Sequence, residues 1–418
     1  MLNHRNFTNI YKIYKTPILY TGGAMTQSII QLLIGFVIAR FIPPEDLGLW
    51  TTLNLGVTYV SLLQAGLISG LNRELPFSYG RGNTIEAKKL ASTVQSITLV
   101  TSIIILLAGS LCFLFYQFEN VKIKYGVIAI TIHIVSLFFQ NYFISTYRSN
   151  NSFISLSKIQ VINAIVNLLS VVLIIYLAYY GLILKSVIVS VLFTIHLFIA
   201  RPIKVGFKID KSSLIKIMKT GLPIWGLSYV ESFASTFDKI LLLKYSDLSS
   251  VGLYSFAYYG YSLFLVLSVT IAKYISPRMS YKYGQNNDKK LLWVYFKKVT
   301  LFMSLSQLIL GIIALIVLPN FSFKFFPQYK DSIQAMLILI CAGMLKGSII
   351  GVNVLVSIKA LKYLSLYQVT YSILLFISPL IGIYLFENPI IGVSFGILFA
   401  NILNYMSGFY LTYIATNK

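Results

Sequence analysis

Twelve long apolar stretches divide this chain of 418 residues, and they constrain its fold more than any other feature. Each is close to the ~20 residues that an α-helix needs to cross the hydrocarbon core of a bilayer. Only 11% of the residues are charged, against ~25% in soluble domains. Backbone polar groups in lipid must be satisfied within their own segment, so these stretches predict membrane-spanning helices. The stretches are residues 18–42, 48–71, 92–116, 124–147, 158–179, 182–200, 220–244, 249–273, 293–318, 332–356, 363–386 and 389–414.

The net charge of +22 does not indicate nucleic-acid binding, because the basic residues fall in alternate loops between the apolar stretches. If every stretch crosses the membrane, 24 of the 34 Lys and Arg residues lie on one side. An excess of Lys and Arg marks the cytoplasmic side, so both termini are predicted to be cytoplasmic. The opposite loops are expected to hold mainly Lys122, Lys124, Lys185, Lys324 and Lys330.

One motif occurs twice in the chain. The first copy covers residues 39–50 and the second covers residues 243–254, and Gly48 and Gly252 hold the same place 204 residues apart. In each copy an apolar stretch ends at a basic residue, a short polar turn follows, and the next stretch begins with Leu or Val, Gly, Leu and an aromatic residue. A duplicated membrane unit is typical of transporters. The sequence therefore predicts an all-α integral membrane protein with twelve transmembrane helices in two six-helix lobes, related as parallel repeats around a central cavity.

The predicted domains follow from this repeat. Residues 1–200 are expected to form the N-terminal six-helix lobe, and residues 220–418 the C-terminal one. Residues 201–219 would be a cytoplasmic linker in which basic and apolar residues alternate. This segment is compatible with an amphipathic helix at the membrane surface. It is equally compatible with a solvated linker held near the headgroups by its charge.

No catalytic constellation is visible, and the chain is not expected to be an enzyme. His4, His133 and His196 are not spaced as metal ligands or as partners of an acid and a nucleophile. Cys112 and Cys341 lie in separate apolar stretches, so no metal site is predicted. A phosphate-binding glycine loop is also missing, so neither a cofactor nor ATP is expected.

Two charged residues lie deep inside predicted spans. Glu231 is near the middle of span 220–244, and Lys346 is near the middle of span 332–356. A charge at the centre of a membrane helix costs ~2.5–3.5 kcal/mol on insertion scales, so such residues usually face a cavity or each other. We expect both to face a central polar cavity. The alternative is a buried Glu231–Lys346 ion pair with a structural role.

Other charged residues lie nearer the ends of the spans. Asp238 and Lys239 come about two turns after Glu231, and they are candidates for function or for a structural element of the repeat. Charges at helix ends can instead reach the headgroups or act as topological anchors. These end residues are Arg40 and Lys244 on the external side, and Arg73, Lys273 and Arg278 on the cytoplasmic side.

Several segments together resemble a known superfamily. They are Arg40 to Trp50, Gly221-Leu222-Pro223, Asp238 to Leu242, Val251 to Tyr254 and Phe325-Phe326-Pro327-Gln328-Tyr329. Their order and the twelve spans resemble the polysaccharide flippases of the multidrug/oligosaccharidyl-lipid/polysaccharide exporter superfamily. Within it, the chain is most similar to the Wzx-type flippases of O-antigen and capsule assembly.

This resemblance implies a function in lipopolysaccharide and surface-polysaccharide biosynthesis. The substrate would be an undecaprenyl-pyrophosphate-linked oligosaccharide, moved from the cytoplasmic to the periplasmic leaflet of the bacterial inner membrane by alternating access. The implied partners are membrane lipids, a polysaccharide polymerase and a chain-length regulator. The resemblance implies no nucleic-acid partner. Two alternatives remain open. They are a drug or small-molecule antiporter of the same superfamily, and a membrane-embedded polymerase or glycosyltransferase, for which the external loops look too short.

The candidate site residues follow from the charge of such a substrate. A pyrophosphate is a multiply charged anion that needs cations when it leaves water. Glu231 and Asp238 could bind H⁺ or Na⁺ and couple transport to an ion gradient. Arg40 and Lys244 are assigned to gating or to the structure of the repeat. The candidate substrate-binding residues are Arg73, Lys239, Lys273, Arg278 and Lys346.

Overall fold

The structure is a computed structural model that describes residues 26, 30–31, 33–64, 66–286, 288–358 and 360–417. Within these residues the regular elements are helices and there is no strand. Seven of the helical segments are long and apolar enough to cross a membrane, judged by length and composition. The expected all-α, multi-pass membrane architecture is therefore confirmed.

Fifteen helices are described, and α1 is described over residues 33–41. The others are α2 (Pro44–Ser61), α3 (Leu67–Gly80), α4 (Thr84–Phe115), α5 (Val121–Ser149), α6 (Phe153–Leu169), α7 (Val171–Ile199), α8 (Lys211–Ala234), α9 (Phe237–Tyr245), α10 (Leu248–Asn286), α11 (Lys289–Phe325), α12 (Ile333–Ser348), α13 (Asn353–Ser357), α14 (Leu361–Leu385) and α15 (Pro389–Asn417).

Most predicted spans correspond to one helix, but four are built from two helical segments joined by a break. Helices α2 and α3 are separated at Gly66, whose φ of 82° is accessible mainly to glycine. The breaks between α8 and α9 and between α12 and α13 interrupt the predicted spans 220–244 and 332–356. The fifth span is broken at Ser170, between α6 and α7. Helix α7 also contains a break at Ala178, with φ of 47°, and this break separates the fifth predicted span from the sixth.

Polar side chains cap the N-termini of several helices at the turns between spans. Asn83 Oδ1 accepts a hydrogen bond from the Glu86 N–H at 3.0 Å, and Asp288 caps α11 through the N–H groups of Lys290 and Leu291. Asp210 accepts from the Ser213 N–H at 2.8 Å and starts α8. Residues 211–219, expected in the linker, are thus the first turns of a helix that continues into the seventh predicted span.

The chain divides into two compact units. Among the described residues, those before Gly35 and those from Leu53 to Tyr229 form the first unit, and Gly35–Thr52 with those from Val230 onward form the second. This division departs from the boundaries expected from the sequence, because residues 35–52 group with the C-terminal half. The first unit has a core around Leu71, Leu90, Tyr142, Phe143 and Tyr147, and the core of the second includes Met279, Phe296, Val354 and Leu355.

Hydrogen bonds within the second unit explain why residues 35–52 belong to it. The last carbonyl groups of a helix have no partner inside the helix. At the end of α1, Gln328 donates to the carbonyl oxygen of Ala39 at 2.7 Å, and the Tyr329 hydroxyl donates to that of Ile42 at 2.8 Å. The short motif before the tenth span therefore caps the end of the first.

The two copies of the repeated motif contact each other within this unit. Gly48 and Gly252 are each the fifth residue of their helices, α2 and α10. A Cβ added to Gly48 would lie 1.7 Å from the carbonyl oxygen of Leu248, and one added to Gly252 would lie 1.8 Å from that of Pro44. This reciprocal approach is only possible without side chains, so the repeated glycine has a direct packing role.

Burial supports the internal duplication as well. The apolar windows of α4 and α11, the third and ninth spans, are the least buried, at 11% and 22%. The apolar window within residues 327–357, the segment that contains the tenth span, is 61% buried. The third and ninth spans occupy equivalent places in two sets of six, and both expose apolar side chains as lipid-facing helices do.

Candidate functional site

A cavity in the second unit lies beside two of the helix breaks. Its volume is about 240 Å³, and its lining includes Glu231, Lys346, Asn353, Tyr367 and Tyr371. Glu231 is one turn before the end of α8, and Lys346 is close to the end of α12. Broken membrane helices with charged residues at the break are the usual place for binding sites in secondary transporters. The structure thus brings together the two charged residues that lie deepest in the predicted spans.

The Lys346 ammonium is held by an aromatic ring rather than by a carboxylate. Its Nζ lies 3.7 Å from the centroid of the Tyr371 ring, a cation–π contact. The Tyr371 hydroxyl donates to Asn401 Oδ1 at 3.1 Å, which fixes the ring. Among the described residues no ion pair within 4.0 Å joins Lys346 to Glu231. The cavity therefore presents one cation and one carboxylate that are not neutralised by direct contact with each other.

Polar contacts hold the end of α12 in place behind this lysine. The Ser268 hydroxyl lies 3.0 Å from the Gly347 carbonyl oxygen, and Gln307 donates to Ser268 Oγ at 2.9 Å. A Cβ on Gly347 would lie 2.5 Å from Gln307 Nε2, so the backbone approaches these side chains closely. Helices α10, α11 and α12 thus fix the backbone from which Lys346 extends.

Asp238 and Lys239 form a separate cluster at the start of α9. The Asp238 carboxylate is buried and accepts a hydrogen bond from the Tyr254 hydroxyl at 2.6 Å. Lys239 Nζ lies 3.4 Å from the Asp238 carboxylate and 4.5 Å from the centroid of the Tyr258 ring. The structure gives these two residues partners within the cluster, and neither is among the described residues that line the cavity of Lys346.

Arg73 lies in the first unit, next to the buried side chain of Glu74. Its side chain is 68% exposed, and its guanidinium lies 3.8 Å from Glu74 and 3.5 Å from the Thr220 hydroxyl. Lys216 contacts Glu74 at 3.5 Å and also pairs with Glu86. Arg73 is therefore accessible, but a carboxylate next to it offsets part of its attraction for an anion.

The remaining candidates have different surroundings. Arg40 donates to the Phe325 carbonyl oxygen, which joins the first motif to the segment before the tenth span. Lys244 is exposed, with its ammonium 5.3 Å from the centroid of the neighbouring Tyr245 ring. Lys273 and Arg278 lie in α10, and their side chains fall outside the part of the chain that the structure describes.

One buried cation was assigned wrongly from the sequence. Lys185 was expected in an external loop, but it lies inside α7, is 8% exposed and donates to Asn167 Oδ1. The turn of the chain comes earlier, at Ala178, so the sixth span already includes this lysine. Its position inside the apolar stretch 182–200 was the signal that could have identified it.

Comparisons with known proteins agree with this architecture. A family model described as "Polysaccharide biosynthesis protein" matches residues 37–326. A multidrug resistance MATE family transporter of the MOP superfamily, in an inward-facing conformation, aligns with a TM-score of 0.77 and 16% identity over 94% of each chain. The lipid II flippase MurJ, in an inward closed conformation, aligns with a TM-score of 0.70 and 16% identity over 94% of this chain and 87% of that one. No curated protein sequence matches the chain.

Proposed function

Because the chain belongs to the polysaccharide biosynthesis protein family, we propose that it is a flippase for a lipid-linked oligosaccharide. The proposed substrate carries its sugars on undecaprenyl pyrophosphate and moves from the cytoplasmic to the periplasmic leaflet of a bacterial inner membrane. The fold shared with a lipid II flippase supports this proposal, since that protein is named for a lipid-linked substrate. The fold belongs to transporters of the MOP superfamily, so alternating access is the proposed mode of movement.

The observation that carries the proposal is that Lys346 and Glu231 line one cavity beside two interrupted helices. An ammonium in a site of low dielectric attracts a phosphate oxygen far more strongly than it would in water. Lys346 lies on an aromatic face and forms no ion pair with a described carboxylate within 4.0 Å, so its charge is available to such a group. We propose that it contacts the pyrophosphate during transport.

The size of the cavity limits what it can hold. Pockets for drug-sized ligands measure roughly 300–1,000 Å³, and this one measures about 240 Å³. An oligosaccharide does not fit in it, but one phosphate group or a few water molecules do. We propose that the cavity receives the charged end of the substrate, while the prenyl tail stays in lipid.

Glu231 is the proposed coupling residue. A carboxylate in this position can bind H⁺ or Na⁺ in one state of the transporter and release it in the other. Such a group drives the cycle only if its affinity differs between the two states. Asp238 is the weaker candidate for coupling, because its carboxylate already accepts a hydrogen bond from Tyr254 and lies near Lys239.

The other basic residues are also proposed to contact the substrate, but the structure supports them to different degrees. Arg73 is exposed and can meet a substrate from water, although Glu74 lies next to it. Lys239 would have to exchange its contact with Asp238 for one with phosphate. Lys273 and Arg278 are proposed contacts from the sequence alone.

A drug antiporter is the competing function, and the fold shared with a multidrug MATE transporter favours it. The two functions differ in the charge that the site must tolerate. Lys346 would repel a cationic drug and attract an anionic substrate, and Glu231 on the same cavity would offset this only while it is ionised and has not bound H⁺ or Na⁺. The lysine therefore favours the flippase.

The test is complementation of a strain that lacks the gene. The deletion is expected to accumulate lipid-linked repeat units and to lose surface polysaccharide, and the wild-type chain should restore both. Lys346→Gln should fail to restore them at normal protein abundance. Lys362→Gln, which removes an exposed lysine of the same unit, is the matched control and should complement. Normal surface polysaccharide in the deletion strain would refute the proposal.

A further inference from the structure

We propose that a lysine-lined pocket in the first unit binds the phosphate headgroup of an anionic phospholipid. The pocket, here called the lysine pocket, is bounded by Lys88, Lys89, Lys204 and Lys208 together with Ser92, and its volume is about 550 Å³. It lies in the first unit, where the second turn of α4 meets residues 204–210, whereas Glu231 and Lys346 belong to the second unit. The proposal does not depend on the proposed function.

Charge is the first reason for this assignment. Four lysines line the pocket, and Asp210 is the one described carboxylate among the lining residues. That carboxylate caps the N-terminus of α8, where it accepts hydrogen bonds from the Ser212 hydroxyl and the Ser213 N–H. These hydrogen bonds, that from Ser212 first, lower the pKa of Asp210 to about 2. Asp210 thus stays ionised and offsets one of the four positive charges, which leaves a site that favours an anion.

The shape of the pocket is fixed by hydrogen bonds across it. Ser92 Oγ lies 2.7 Å from the Gly206 carbonyl oxygen and accepts from the Lys208 N–H at 3.1 Å. The Asp210 N–H donates to Thr93 Oγ1 at 3.0 Å. Ser92 and Thr93 therefore hold residues 206–210 against α4, so the lysines of both segments face one space before any ligand arrives. A preformed site loses less entropy on binding.

Apolar side chains in the same lining favour a lipid over a soluble phosphate. Ile85 is 71% exposed and Phe207 is 63% exposed, and both line the pocket. The pocket also adjoins a helix that is long and apolar enough to cross the membrane. The lysines can bind the phosphate of a lipid, and the exposed apolar side chains can contact its acyl chains. Basic pockets between membrane helices are known to bind such headgroups.

The experiment measures lipid binding to the purified full-length protein in an uncharged detergent. Native mass spectrometry would count bound phosphatidylglycerol and phosphatidylcholine with the same acyl chains. Inorganic phosphate and glycerol phosphate would be titrated separately, with the thermal unfolding midpoint as the readout. We expect phosphatidylglycerol to bind and phosphatidylcholine to bind at least about tenfold less. Equal binding of the two lipids would overturn the proposal, and stabilisation by phosphate alone as strong as that by the lipid would assign the pocket to a soluble anion instead.

Matched variants locate the binding. The pocket variant changes Lys88, Lys89, Lys204 and Lys208 to Gln. Its control changes Lys289, Lys290, Lys297 and Lys298 to Gln, which removes the same charge from four exposed lysines at the start of α11. The pocket variant should lose the phosphatidylglycerol preference, and the control should keep it. An equal loss in both would mean that total charge is responsible and would refute a local site.

A neutral variant keeps the test valid if the lysine changes prevent folding. Ser92→Ala removes the hydroxyl that holds residues 206–208 to α4 and leaves every charge in place. It should weaken phosphatidylglycerol binding severalfold. Wild-type binding by Ser92→Ala would contradict a preformed pocket.

Discussion

Asp238 is a buried carboxylate at the start of α9. A carboxylate near the end of a membrane span is compatible with ion coupling or with structure. The buried hydrogen bond from Tyr254 and the nearby Lys239 ammonium supply it with partners. Buried ionised groups are tolerated when such partners are present, so the observed cluster accounts for this carboxylate without an additional ion.

Tyr254→Phe tests whether this hydrogen bond stabilises the Asp238 cluster. It removes the hydrogen bond and leaves the buried Asp238 carboxylate with one partner fewer, which costs about 1–3 kcal/mol. The thermal unfolding midpoint of the purified protein should fall. Tyr258→Phe is the control, because it keeps the ring on which Lys239 lies, and its midpoint should stay near wild type. Equal midpoints for the two variants would mean that the hydrogen bond does not stabilise the cluster.

Some functional candidates have a local signal in the sequence, and others depend on backbone angles or on contacts between distant residues. Glu231 and Lys346 could be identified because a charge stands out among apolar neighbours in one span. Lys185 was missed because the turn before it depends on the backbone of Ala178, which hydropathy does not report. The partners of α1, Gln328 and Tyr329, lie almost 290 residues away in sequence, and no local pattern indicates which carbonyls they cap.

At the scale of elements, hydropathy located the spans but not the breaks within them. The second span was expected to be continuous over residues 48–71. The structure breaks it at Gly66, where a Cβ would lie 2.7 Å from the backbone of Gly221. Helix breaks come from backbone angles and close packing, and neither changes the average polarity of a stretch. The same applies to the breaks after Glu231 and Lys346.

The close contact of the two repeated glycines predicts that a side chain at either position destabilises the protein. Gly252→Ala would place a Cβ 1.8 Å from the Pro44 carbonyl oxygen, so α2 and α10 must separate. The thermal unfolding midpoint should fall. Gly226→Ala in α8 is the control, because a Cβ there meets no atom within 4 Å, and alanine favours a helix by ~1 kcal/mol over glycine. If Gly252→Ala were as stable as Gly226→Ala, the close contact of the two motif copies would not exist.

The start of α8 gives a prediction for pH. The folded-state pKa of Asp210 is lowered to about 2 by hydrogen bonds from Ser212 and Ser213, against ~3.9 for the unfolded chain. A lowered pKa means that its stabilising contribution is present above the unfolded value and is lost as the pH falls from about 4 to about 2. Asp210→Ala should be less stable at neutral pH and should lose this part of the acid dependence. An unchanged slope of unfolding midpoint against pH in this window would contradict the cap.

For the whole molecule, the remaining question is the orientation of the chain in the membrane. The excess of basic residues in alternate loops predicts both termini in the cytoplasm. Reporter fusions after Arg81 and Lys211 should report the cytoplasm, and fusions near Asp46 and Asp247 should report the periplasm. A periplasmic signal at Lys211 would be incompatible with an even number of spans before it.

Lys346 is the proposed contact for the pyrophosphate as the protein moves a lipid-linked oligosaccharide across the membrane. The most direct measurement is the fraction of a labelled undecaprenyl-pyrophosphate oligosaccharide that a sugar-binding protein outside reconstituted vesicles can reach over time. The wild-type chain and Lys362→Gln should raise this rate above that of empty vesicles. Lys346→Gln should lower it about tenfold or more, which corresponds to ~1.4 kcal/mol of lost interaction. No movement by the wild-type chain would rule out the flippase, and an undiminished rate in Lys346→Gln would rule out the proposed role of this lysine.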